Sequence, residues 1–196
     1  MDMFLFARFR NEEDVMKRWI LVLMGVAVSF SFAQLNVNTD KLKQQVQSAA
    51  SNAEEEAYKK LRAEFKKRIA DIPFAYNSAE IPLKDPKYVV MGYDVDTFMK
   101  QVLIPALSEV VNALPTGRKV VIEGHANAVG PEEPQDGKQG NIALSKARAE
   151  AVLDYILKNS KLDRSKFVIR ASGSSKPLSG VDPTSTKNCR VSLDIE

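Results

Sequence analysis

The side chains able to do chemistry are few. The chain of 196 residues has one histidine, His125, and one cysteine, Cys189. A lone imidazole cannot build a multi-histidine metal site, and no short motif of a catalytic or cofactor site is present. Nothing in the sequence places a serine and a carboxylate beside His125, so serine hydrolysis has no machinery. No enzyme activity and no cofactor are expected. What remains suits binding: Asn141, Ser145 and Arg148, at spacings of four and three, share a strip beside the apolar face that begins at Leu144. A guanidinium fork presents two parallel donors to a carboxylate. Each of the three also has a plain structural reading: Asn141 as a helix cap, Ser145 as a solvated side chain, Arg148 as the partner of an acid such as Glu123.

The strip needs a helix, and the pattern supplies one over 141–159, with Leu144, Ala147, Ala151 and Tyr155 expected on its buried face. A strand precedes it at Lys119–His125, joined by a loop over 128–140 that holds three glycines and two prolines. Two further strands are expected at 167–172 and 190–195. Earlier, 71–78 reads as a short strand with Ile72, Phe74 and Tyr76 alternating, kept to an edge by Pro73. A polar connection with Pro82 and Pro86 leads to a helix capped by Asp94 or Asp96, which Pro105 should kink or break before the Pro115-Thr-Gly117 stop. The order βαβαββ predicts an α+β two-layer sandwich, with helices on one face of a small mixed sheet.

Residues 122–125, Ile-Glu-Gly-His, then Asn141-Ile-Ala-Leu-Ser-Lys-Ala-Arg-Ala-Glu-Ala-Val152 and Asn188-Cys-Arg-Val191 resemble the OmpA-like domain over about residues 71–196. That family's pattern is a strand ending Gly-His-Thr-Asp, a helix beginning NxxLSxxRAxxV and a final Asn-Arg-Arg-Val strand. The helix pattern is matched in full, at Asn141, Leu144, Ser145, Arg148, Ala149 and Val152. The resemblance implies non-covalent binding of peptidoglycan through its peptide stem, with the family's aspartate and arginine bracketing diaminopimelate or another diamino acid. It maps Arg148 onto that arginine and Asn127 onto the aspartate, so the anionic partner of the ligand's ammonium is neutral here. Tyr76 and Asn77 fall where the family's first strand borders the ligand, and His125 ends the second strand. Cys189 replaces the first arginine of the final motif, and the loop before the helix is longer than usual, with Glu132, Glu133 and Asp136 able to restore the missing charge. The alternative is an interaction protein that keeps this fold without the ligand.

The net charge of +3 and the absence of a Lys/Arg run give no footprint for nucleic acid. Residues Trp19–Ala33 form an apolar run after Lys17 and Arg18 and end in Ser31-Phe-Ala33, the pattern of a cleavable export signal. Residues 1–33 are thus expected to be removed, with translation starting at Met16, because the preceding residues are acidic for a leader. From 40 to 70 no Pro or Gly occurs, and Leu42, Val46, Ala49, Ala53, Ala57, Leu61, Phe65 and Ile69 mark one amphipathic helix. This segment, within 34–70, should dock on the domain, dimerise, or reach an envelope protein. Export would place the chain in the periplasm, peripheral to the outer membrane, with no spanning segment left after cleavage.

Overall fold

The computed structural model describes residues 39–196. The expected export signal over 1–33 and the Met16 start lie outside them. The chain divides into two compact units, 1–48 and 49–196. In the first, the described residues 39–48 are helical and exposed.

The second unit is built on a four-stranded sheet. Its strands are β1 (Ile72–Pro73), β4 (Val120–His125), β5 (Phe167–Ala171) and β6 (Arg190–Ile195), in the order β1-β6-β4-β5. β4 runs parallel to β5 and antiparallel to β6, so the sheet is mixed. Helix α4 (Asn141–Lys158) makes the crossover between the parallel pair. The inner face carries Val120, Ile122, Val191, Leu193 and Ile195, and α4 lays Ala149, Val152, Leu153 and Ile156 on it. The architecture is the expected α+β sandwich.

Between β1 and β4 lies a feature absent from the sequence reading. β2 (Val89–Val90) and β3 (Tyr93–Asp94) form a small hairpin within the stretch expected to be a polar connection. Its turn, Met91-Gly92, has φ of 50° and 86°, the left-handed pair that a two-residue hairpin requires. Asp94 then caps the next helix by accepting the Thr97 N–H at 2.9 Å.

That helix is kinked in register, not broken. It runs as α2 (Val95–Phe98), a π turn (Met99–Leu103) and α3 (Ile104–Ala113). Pro105 explains the π turn. A proline ring would collide with the carbonyl four residues back, and widening the preceding turn moves that carbonyl away. The Ile104 N–H accordingly reaches back five residues, to the Met99 carbonyl.

Helix α1 (Thr39–Arg68) meets the domain through Tyr58, Leu61 and Phe65, while Leu42, Val46, Ala49, Ala53 and Ala57 of the expected stripe stay exposed. The docked half covers an open sheet edge. β1 pairs only with Arg190 and Val191, which leaves the rest of that β6 edge bare. There the Tyr58 hydroxyl donates to the Ile195 carbonyl at 2.8 Å, and the Ile195 N–H donates to Asp194. Arg62 grips the Asp194 carboxylate with two bonds of 2.7 and 2.6 Å. Burial alone would push Asp194 up, but Arg62, the Ile195 N–H and Lys66 outweigh it and hold the carboxyl at about 2.

At Gly124, β4 and α4 approach closely. A Cβ placed on Gly124 would lie 1.8 Å from the Ser145 backbone oxygen, so only glycine lets the helix start against the strand. Gly124→Ala should lower stability by about 3 kcal/mol, the upper end of overpacking costs. Urea unfolding followed by circular dichroism reads it, and an unchanged midpoint would show that α4 can shift without loss.

Candidate functional site

The candidate residues divide into two groups. Tyr76, Asn77, Asn141 and Leu144 line one open cleft of about 400 Å³, closed on the far side by the 129–140 loop. The start of α4 forms its floor. Gly140, with φ of 84°, caps the helix in place of Asn141, which is the first helical residue. A Cβ on Gly140 would lie 2.6–2.8 Å from backbone atoms of Glu132, Glu133 and Pro134. Glycine therefore lets the loop fold directly onto the helix end, where Pro131 and Glu132 carbonyls take the first two helical N–H groups.

Ser145, Arg148, Asn127 and His125 do not line this cleft. The buried stripe of α4 runs through Asn141, Ser145, Arg148 and Val152, with Ala147, Ala151 and Tyr155 only half-buried on its flank. The polar strip is thus part of the helix's inner face, because hydrogen bonds at each polar position satisfy it there. The Ser145 hydroxyl donates to the Ile142 carbonyl at 2.8 Å and accepts the Gly173 N–H at 3.0 Å.

Arg148 has no exposed surface. Its Nε donates to the Ser78 carbonyl at 2.7 Å, one terminal nitrogen to His125 at 2.8 Å and the other to Ala75 at 2.9 Å. Burial pushes the guanidinium down from its ordinary value. The acid weighed as its partner, Glu123, instead binds Lys176 at 2.5 Å and Ser172. Arg148 therefore ties the loop carrying Tyr76 and Asn77, at both of its ends, to the end of β4. Asn77 sits at φ of 52° inside that loop, a left-handed position that asparagine tolerates.

Asn127 is buried and donates its amide to the Thr184 carbonyl at 2.8 Å. Of the three loop acids, none lines the cleft. Glu132 is engaged by Asn141 at 3.3 Å and by the Ser174 hydroxyl and N–H. The final motif is likewise architectural: buried Asn188 holds Leu178, Asp182 and Pro183, Cys189 is buried, and Arg190 pairs with Asp71 at 2.8 Å. His125 turns to the outer face of the sheet, where Nε2 meets the Ser192 hydroxyl at 2.9 Å.

The sequence reading missed Lys138, the one charged side chain lining the cleft. It stands at the base of a tight turn in which Gln135 and Lys138 exchange backbone hydrogen bonds. The Asp136-Gly137 dipeptide, with φ of 51° and 74°, makes that turn; Asp-Gly was the signal available in the sequence.

Two outcomes follow. Removing the Arg148 guanidinium takes a donor from three carbonyls and empties a fully buried position, so Arg148→Ala should cost on the order of 3 kcal/mol or more, and Arg148→Lys should recover only part of it. Urea midpoints decide this; an unaltered midpoint would mean that the buried fork contributes nothing. For His125, burial first and Arg190 second depress the pKa to about 4. The unfolded chain then binds the proton first, so the contribution is complete above pH 6.5 and is lost as pH falls toward 4, at most about 3 kcal/mol. His125→Gln should flatten the stability profile in that window. An equal slope in the variant would assign the acid loss to other groups.

The sequence pattern of the OmpA family matches residues 93–190, half of the chain. No curated protein matches. Among solved structures, the OmpA-like domain of FopA1 from Francisella tularensis is 25% identical, with 64% of this chain and 69% of that one covered at a TM-score of 0.45. The peptidoglycan-associated lipoprotein from Burkholderia pseudomallei is 20% identical over 64% of this chain and 89% of its own, at 0.45. The C-terminal domain of Helicobacter pylori MotB is 15% identical over 65% and 86%, also at 0.45. On the family match, which runs from β3 to the first residue of β6 and includes the whole of α4, the chain belongs to the OmpA family.

Proposed function

We propose that the domain binds peptidoglycan non-covalently, through its peptide stem, in the cleft between Tyr76–Asn77 and the start of α4. The carrying observation is that convergence: four residues singled out by the family resemblance, from two distant stretches of chain, meet at one open concavity. The role is one of binding and not of catalysis. The stem's diamino acid is the expected contact. With residues 1–33 read as an export signal, the domain acts in the periplasm, and residues 34–70 give it the means to reach a second envelope component. Arg148 takes part as a positioning residue, because it fixes both ends of the Tyr76–Asn77 loop.

The second reading, an interaction protein that keeps the fold without the wall ligand, is favoured by Asn127. Its amide is committed to Thr184, where the family's aspartate would offer a charged acceptor. Co-sedimentation of the mature protein with purified peptidoglycan separates the two. The wild type should pellet with the wall, and Tyr76→Ala, at a position 55% exposed, should weaken binding roughly tenfold while leaving the fold intact. A folded wild type that stays in the supernatant would transfer the function to the second reading.

A further inference from the structure

The candidate cleft has a neighbour. Pro73, Phe74, Tyr76 and Tyr88, together with Lys87 and Lys187, line a second concavity of about 510 Å³. The two share Tyr76 as a common wall. No carboxylate lines either one, and their charged side chains are Lys138 in the first and Lys87 and Lys187 in the second.

These lysines differ from many others in the domain. Lys59, Lys66, Lys67, Lys100, Lys146 and Lys176 each meet an acid within 4 Å. Among the described residues, the side chains of Lys87, Lys138 and Lys187 make no ion pair or hydrogen bond, and all three residues are exposed. Two nearby polar groups that bear on a cationic ligand are withdrawn. Glu132 is held by Asn141 and Ser174, and Asn127 is neutral with its amide turned to Thr184. The floor of the first cleft is the N-terminus of an 18-residue helix whose cap, Gly140, offers no side chain of its own. The first two N–H groups of that helix are taken by the Pro131 and Glu132 carbonyls, so the positive charge offered to a ligand there is that of Lys138.

We propose that the two clefts form one anion-reading groove in which Lys138, Lys87 and Lys187 select the free carboxylates of an unamidated peptide stem. Recognition has shifted from the ligand's ammonium to its acids. Tyr76 separates the two carboxylate positions and packs against the peptide between them. Converting a stem carboxylate to an amide removes the charge that the lysines attract and places an NH₂ donor against an ammonium donor. The proposal rests on the wall-binding reading.

The test is calorimetry on the mature full chain with two soluble stem tetrapeptides of alanine, γ-linked D-glutamate, diaminopimelate and D-alanine. One keeps every carboxylate free, and the other is amidated on glutamate and diaminopimelate. At low salt the free form should bind roughly fivefold tighter, the worth of one charged partner in place of a neutral one, with the preference shrinking as salt rises. Lys138→Gln should reduce the preference, and Lys138→Glu should abolish it, whereas Lys161→Gln, at an exposed position outside both clefts, should match the wild type. Equal binding of the two peptides, unaltered by the Lys138 variants, overturns the carboxylate selection and leaves wall binding standing. Failure of both peptides with a protein that still pellets with peptidoglycan also overturns it, by pointing to the glycan. Failure of both peptides and of the pellet removes this proposal and the wall-binding reading together.

Discussion

A buried cation without a carboxylate partner is the constraint on which the rest of this domain depends. Taking a guanidinium out of water costs several kcal/mol unless its donors are satisfied in fixed directions. Here three carbonyls satisfy it, from Ala75, Ser78 and His125, with the Phe74 ring 5.6 Å away. Those carbonyls belong to the loop after β1 and to the last residue of β4, and the arginine itself belongs to α4. The arrangement is self-consistent only when strand, loop and helix are all in place. A side chain that reads as ligand-binding chemistry in the sequence thus acts as the tie that gives the cleft a fixed wall.

The same logic extends to the neighbouring contacts. Gly124 lets α4 start against β4, Ser145 joins that start to Gly173, and Glu132 draws the long loop down onto Ser174 and Asn141. The Ser145–Gly173 and Glu132–Ser174 bonds join segments 28 and 42 residues apart. The cleft is consequently bounded by parts that are tied to one another, so its walls are preorganised. Beyond the short β1, α1 covers the end of the β6 edge, with Tyr58 on the Ile195 carbonyl and Arg62 on Asp194.

Much of this was legible in the sequence, and the reasons for the remainder are physical. The strands at 120–125, 167–171 and 190–195 and the helix at 141–158 announced themselves by apolar periodicity, which depends only on which face is buried. Pro73 marked an edge and Asp94 a cap, both local effects. The hairpin at 89–94 did not show, because two-residue strands carry no periodicity and Met91 does not advertise a left-handed turn. The stripe of α4 was placed too far round the helix, since apolarity favoured Ala147, Ala151 and Tyr155 over Ser145 and Arg148. Whether a polar side chain is buried depends on the partners that await it, and for Arg148 those lie 23 to 73 residues away.

The neutral Asn127 and the unpaired Lys138 gain meaning together. An aspartate at 127 would face the Thr184 carbonyl with no donor, so this chain's 182–185 loop, already held by Asn188, suits an amide and not an acid. Once that position gives its hydrogen bond to the protein, no negative charge is left to hold a ligand's ammonium from that side. Glu132 does not replace it, because its oxygens are engaged in folding the loop. The charge facing the cleft is instead set by the Gln135–Lys138 turn, which projects a cation beside the positive end of α4. The loop that Glu132 anchors therefore also carries Lys138, the charged residue that lines the cleft.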